Sequence, residues 1–89
     1  MQAQQLTLYQ FDRCPFCARV RETLTRLQLD IELRDVLSTP AFNDELRAAT
    51  GRTTVPCLRI ERPEGLAWMH ESADIIAFLE EHFAGQSAG

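Results

Sequence analysis

The hydrophobic positions change their period along the chain, and each change marks an element. Leu6-Thr7-Leu8-Tyr9-Gln10-Phe11 carries apolar groups on both faces, as a strand covered on two sides does. From Pro15 to Gln28 the period lengthens. Cys17, Val20, Leu24 and Leu27 recur at spacings of 3, 4 and 3, one apolar stripe along a helix. Arg19, Arg21, Glu22 and Arg26 lie off that stripe as a solvated face, with Glu22 and Arg26 placed as an i,i+4 pair. Ile31 to Val36 alternates, as an edge strand would. Ser38 or Thr39 can cap a second helix that has Pro40 in its first turn, faces Phe42, Leu46 and Ala49 inward, and stops at Gly51. Cys57 to Ile60 and Leu66 to Met69 read as two more strands, joined through Arg62-Pro63-Glu64-Gly65, where Pro and Gly suit a type I turn. Ser72 then caps a last helix that buries Ile75, Ile76, Leu79 and Phe83.

The order is strand, helix, strand, helix, hairpin, helix. A strand–helix–strand unit of this length makes a crossover between parallel strands. The pattern therefore predicts an α/β fold, βαβαββα, with a four-stranded mixed sheet flanked by helices. At 89 residues it is one domain with one modest core, residues 1–4 and 84–89 being loose ends.

Composition narrows the function. A net charge of −4 argues against a nucleic-acid or anionic-membrane surface. The chain has no apolar run near the ~18 residues a span needs and no basic-then-apolar start. It is expected to be cytoplasmic. Three cysteines, an odd number, fit a reducing compartment better than a disulfide scaffold.

The chemistry concentrates in Cys14-Pro15-Phe16-Cys17, at the junction of the first strand and first helix. A free thiol near pKa ~8.5 is mostly protonated at neutral pH, and the thiolate is the reactive form. A helix start carries roughly half a positive charge and unpaired N–H donors. Cys14 falls at that start, and Pro15 suits the first helical position. Cys14 is thus expected to be an acidic, exposed nucleophile, with Arg13 adding a cation. Cys17, one turn on, points toward the core, as a resolving thiol would. Two structural readings compete. Half a zinc site would need four ligands, and Cys57, His70 and His82, the other candidates, are widely spaced. A structural disulfide is unusual in a reducing compartment. Cys57 reads as a small core residue or a redox group, and His70 and His82 as hairpin-end and helix-surface residues.

With Cys-Pro-Phe-Cys after the first strand and Val55-Pro56 before the third, the chain resembles the glutaredoxins of the thioredoxin fold. Their usual sequences are Cys-Pro-Tyr-Cys and Thr-Gly-x-x-Thr-Val-Pro; here the second is Thr50-Gly51-Arg52-Thr53-Thr54-Val55-Pro56. The resemblance spans roughly residues 5 to 83. It implies a cis bond before Pro56, where an ordinary strand-leading proline is the plain alternative. It also implies that Val55 pairs through its backbone with the cysteinyl part of glutathione, with Thr54 beside it.

Three departures stand out. Asp12 replaces a Lys that meets a glutathione carboxylate in the family, leaving Arg13 or Arg52 to supply the cation. Phe16 replaces a tyrosine but can still pack on the ligand's edge. Met69-His70-Glu71-Ser72-Ala73-Asp74-Ile75 departs from Gly-Gly-x-Asp-Asp and resembles instead the Glu-Ser-x-x-Ile of the N-terminal domain of glutathione transferases. There the Glu-Ser pair binds the γ-glutamyl end of glutathione; for Ser72 a plain N-cap is the alternative, and both can hold. A full transferase continues into a helical domain, so transferase activity by this chain alone is not expected.

The resemblance implies a glutathione-dependent thiol–disulfide oxidoreductase. Cys14 would attack protein–glutathione mixed disulfides and Cys17 would resolve, with glutathione as co-substrate. The expected partners are glutathionylated or disulfide-containing proteins, no metal or permanently bound cofactor is expected, and the chain is expected to be a monomer. Two alternatives are a non-catalytic glutathione or iron–sulfur cluster binding module, and a transferase-like domain that works with a partner.

Overall fold

The structure is a computed structural model that describes residues 1–84. After a short 3-10 turn at Ala3–Gln5, the elements are β1 (Leu6–Gln10), α1 (Pro15–Arg26), β2 (Glu32–Asp35), α2 (Pro40–Thr50), β3 (Cys57–Arg62), β4 (Gly65–Met69) and α3 (Ser72–Phe83). The strands form one sheet in the order β2-β1-β3-β4. β1 is parallel to β2 and antiparallel to β3, and β3 is antiparallel to β4. This is the expected mixed sheet of the thioredoxin-like fold.

All five residues of β1 are buried, which is why its sequence is apolar on both faces. Successive side chains of a strand point to opposite faces. Leu6 and Leu8 join Val20, Leu24 and Leu27 of α1, Leu58 and Ile60 of β3, and Ile75, Phe78, Leu79 and Phe83 of α3 in the larger core. Tyr9 turns the other way, into a smaller core with Val36, Leu46 and Cys57, packed by Phe42 of α2 and Trp68 of β4. Tyr9 Oη donates to Glu45 Oε1 at 2.5 Å, and Arg34 Nη1 donates to Tyr9 Oη at 3.1 Å and to Glu45. This ties β1, β2 and α2 together and satisfies a hydroxyl whose ring is fully buried.

The structure corrects several local expectations. Gln5, just past the expected loose end at residues 1–4, anchors the chain by donating from its side chain to the Glu61 carbonyl at 2.9 Å. At the other end the expected looseness falls, beyond Ala84, outside the described residues. Gln28 lies outside α1, which ends at Arg26. Arg26 pairs with Glu80 of α3 at 2.6 Å instead of with Glu22, since α3 packs alongside α1. Ala49 is exposed, because α2 sinks Leu46 deepest and half-buries Phe42. On α3 Phe78 takes the core position and Ile76 only packs at its margin. β3 runs to Arg62, which pairs with Gly65, so the hairpin loop is Pro63-Glu64 alone. Gly51 ends α2 as expected. Its φ of +79° lies in the left-handed region where a side chain is disfavoured, and its N–H donates to the Arg47 carbonyl at 2.8 Å.

Candidate active site

The sheet order builds the site. Tyr9 near the exit of β1 pairs with Cys57 at the entrance of β3, and Leu58 pairs with Met69 at the exit of β4. The loops that follow β1, precede β3 and follow β4 therefore meet at one edge. They carry Cys14, Val55-Pro56 and Glu71-Ser72.

In the first loop the Cys14 N–H donates to the Phe11 carbonyl at 3.2 Å, closing a turn that sets Cys14 as the N-cap of α1. Pro15 occupies the first helical position. The Cys17 N–H donates to Cys14 Sγ at 3.3 Å, so the sulfur plays the part a serine oxygen plays at an ordinary N-cap. Cys14 was expected to be exposed, and it is not: 6% of its surface is accessible. The Phe11–Cys14 turn folds the side chain back onto the first turn of the helix, where it can accept that bond. Cys17 is fully buried. Burial first, and then its hydrogen bond to Cys14, push its thiol up to about 12. Cys57 is also fully buried, and burial pushes it up to about 11.

The Val55–Pro56 bond is cis, as the resemblance implied. Phe16, Thr54, Val55, Pro56, His70, Glu71 and Ser72 line one cleft of about 220 Å³. Six of these seven were named from the sequence as substrate-binding candidates. Glu71, not Ser72, is the N-cap of α3, and neither side chain caps the helix, because Ser72 has moved one position in and become its first helical residue. The first-turn N–H groups of α3 are thereby left without a side-chain cap at the cleft wall, a setting that favours a carboxylate. Cys14 is not itself a wall of the cleft; Phe16, two residues on, joins the two, with the Arg19 guanidinium 5.8 Å over its ring.

Arg13 and Arg52 do not join this cleft. Arg13 lines a separate groove of about 420 Å³ with Phe11, Asp12, Asp35, Leu37 and Ser38, because the loop turns it toward β2. Arg52 follows the end of α2, exposed, its N–H and carbonyl both bonded to the Thr50 hydroxyl.

Two contributors were missed. His70 was read as a hairpin-end residue, but it walls the cleft and its Nε2 lies 3.8 Å from Cys57 Sγ. Arg21 was read as part of a solvated face. It instead donates to the Asp12 carbonyl at 2.9 Å, to the Phe11 carbonyl at 3.3 Å and to the Gln10 side chain, bracing the strand exit that leads to Cys14. Its i+4 spacing from Cys17 was the available signal. Among the described residues no three His, Cys, Asp or Glu side chains gather as a metal site, and no helix is long and apolar enough to cross a membrane.

The family model for the glutathione S-transferase N-terminal domain matches residues 8–87. The chain belongs to this family. It is 33% identical over 82 residues to prostaglandin E synthase 2 of Danio rerio, covering 92% of this chain and 20% of that protein. Among solved structures, a glutathione transferase homologue from Drosophila mojavensis with bound glutathione superposes with a TM-score of 0.73 and 26% identity, over 89% of this chain and 35% of that one. Maleylacetoacetate isomerase from Anaeromyxobacter dehalogenans, with glutathione in its active site, gives 0.70 and 27%, over 94% of this chain and 40% of that one. The chain thus spans about a fifth of the length of the curated relatives it matches.

Proposed function

We propose that this transferase-family domain is a glutathione-dependent thiol–disulfide oxidoreductase of glutaredoxin type. The observation that carries the proposal is the placement of Cys14. Its sulfur accepts the Cys17 N–H at a helix start, one residue pair away from a cleft walled by a cis-proline loop and an uncapped helix N-terminus. Thiol–disulfide exchange proceeds by attack of a sulfur on a disulfide, and this sulfur is held in place beside that cleft.

In the first step Cys14 thiolate attacks the glutathionyl sulfur of a protein–glutathione disulfide. A Cys14–glutathione disulfide forms, the old S–S bond breaks, and the protein leaves as thiolate and takes up a proton. A second glutathione, as thiolate, then attacks the bound glutathionyl sulfur. Glutathione disulfide departs and Cys14 thiolate returns. The cleft is suited to hold glutathione for both steps: Thr54 and Val55 alongside its cysteinyl portion, the α3 N–H groups and Ser72 on its γ-glutamyl carboxylate, and Glu71 on its ammonium. Phe16 and Pro56 supply apolar walls. Arg13 and Arg52, outside the cleft, have no role in this account.

The buried, protonated Cys17 is a slow competitor of incoming glutathione. Cys17→Ser is therefore expected to keep at least about half of wild-type turnover of a small glutathione mixed disulfide, coupled to glutathione reductase and NADPH. Turnover lost in Cys17→Ser would sink the one-thiol cycle.

The similarity to prostaglandin E synthase 2, a far longer protein, favours one second reading. In it the same cleft holds glutathione for a reaction completed by further parts of a longer chain. Glutathione binding by calorimetry with no thiol–disulfide turnover in wild type would select that reading.

A further inference from the structure

Arg21 stands one helical turn beyond Cys17 on α1 and is half-buried. All three acceptors of its guanidinium belong to Gln10, Phe11 and Asp12, and the Gln10 side chain it holds is itself buried. Phe11 supports the site directly: its carbonyl accepts both the Cys14 N–H at 3.2 Å and an Arg21 N–H at 3.3 Å. A cation is thus clamped to the segment against which the dithiol rests.

We propose that Arg21 is the positioning residue of the dithiol site, its guanidinium fixing the Gln10–Asp12 backbone that leads to Cys14 and holding a positive charge one helical turn from the buried Cys17. The inference deepens the thiol–disulfide reading and rests on it. Cys17 needs such a group. Burial and the bond to Cys14 oppose its ionisation, and the Phe11 N–H and the Arg21 charge favour it. Other charged groups lie around the pair: Asp12 and Arg13 are on the braced loop itself, lining a groove with Asp35, and Glu22 stands beside Arg21 on α1. From β2, Asp35 lies within the field of Arg21, which helps hold its carboxyl below the usual range after the Ser38 and Leu37 N–H bonds. From α3, Glu80 is taken by Arg26.

The step concerned is resolution. Cys17 thiolate attacks Cys14 Sγ in a Cys14 mixed disulfide. The Cys14–Cys17 bond forms and the bond to the substrate sulfur breaks. The departing thiolate takes up the proton that Cys17 released. The protein dithiol is oxidised by two electrons and the bound disulfide reduced by two.

The test uses reduced protein and one equivalent of dithiobis(nitrobenzoate), whose aromatic thiolate is coloured. Attack by Cys14 releases the first thiolate and attack by Cys17 the second; Cys17→Ser, as control, gives only the first. Glutathione takes no part, so failure of the glutathione reading leaves this experiment intact. Arg21→Gln is expected to slow the second release about three- to tenfold at neutral pH, with its pH profile moved upward. Arg21→Lys keeps the charge and is expected to keep the wild-type profile. A brace without electrostatic effect would change stability but not the profile. A folded Arg21→Gln whose second-release profile overlays wild type would overturn the proposal, as would Arg21→Lys displaced as far as Arg21→Gln. If circular dichroism shows that Arg21→Gln does not fold, Arg21→Met, which also removes the charge but keeps an unbranched stem, decides in its place: an upward shift supports the proposal, an unmoved profile overturns it.

Discussion

Cys14→Ser is expected to reduce glutathione-linked disulfide turnover by at least about a thousandfold, to the uncatalysed background, with the fold intact. A serine hydroxyl can take the N-cap place and accept the Cys17 N–H, so the helix start survives. Exchange needs a sulfur that can form and break an S–S bond, and oxygen cannot replace it. Neither other thiol can stand in, because Cys17 and Cys57 have no accessible surface and both are pushed up by burial. Turnover by Cys14→Ser above a tenth of wild type would place the chemistry elsewhere.

Ile75→Ala is expected to cost about 2–5 kcal/mol of stability, read from urea unfolding. Ile75 is fully buried in the larger core, on the first turn of α3, with its N–H on the Glu71 carbonyl at 2.9 Å. Total stabilities run to only about 5–15 kcal/mol, so the loss is a large share. The variant has a functional signature as well. Ile75 anchors the turn that presents Glu71 and Ser72 to the cleft, so glutathione KM is expected to rise while alkylation of Cys14 at saturating reagent stays near wild type. Ile75→Val, which keeps most of the volume, should cost only about 0.5–1.5 kcal/mol. A loss below 1 kcal/mol for Ile75→Ala would mean that α3 is not held through this residue.

Much of this organisation is legible in the residues. β1 reads as doubly covered because Leu6, Leu8 and Tyr9 leave no polar face, and the stripe Cys17, Val20, Leu24, Leu27 is buried throughout. Glu71 and Ser72 are placed with Val55-Pro56 through the resemblance of Glu71-Ser72-Ala73-Asp74-Ile75 to the transferase motif, and the structure brings the four to one cleft. What escaped has a common cause: it depends on what lies opposite a residue in space. Periodicity puts Ala49 on an inward face, but only packing decides that Leu46 is covered and Ala49 is not. A helix-start position suggests an open Cys14, and its side chain instead lies buried with the sulfur accepting the Cys17 N–H. Arg21 looks solvated on a helical wheel, yet its long side chain reaches back to the strand exit. His70 joins the cleft with its chain neighbours Glu71 and Ser72, but its approach to Phe16 of α1 and to the Thr54–Pro56 loop is set by the fold and leaves no mark in the sequence.

Chemical trapping on Cys17→Ser decides whether Cys14 is the thiol that exchanges with glutathione. The reduced variant is exposed to glutathione disulfide at neutral pH and mapped by peptide mass spectrometry. One glutathionyl group on Cys14, discharged by added glutathione faster than from the unfolded protein, is the predicted result. An unmodified Cys14, or a glutathionyl group on Cys57 instead, would contradict the account.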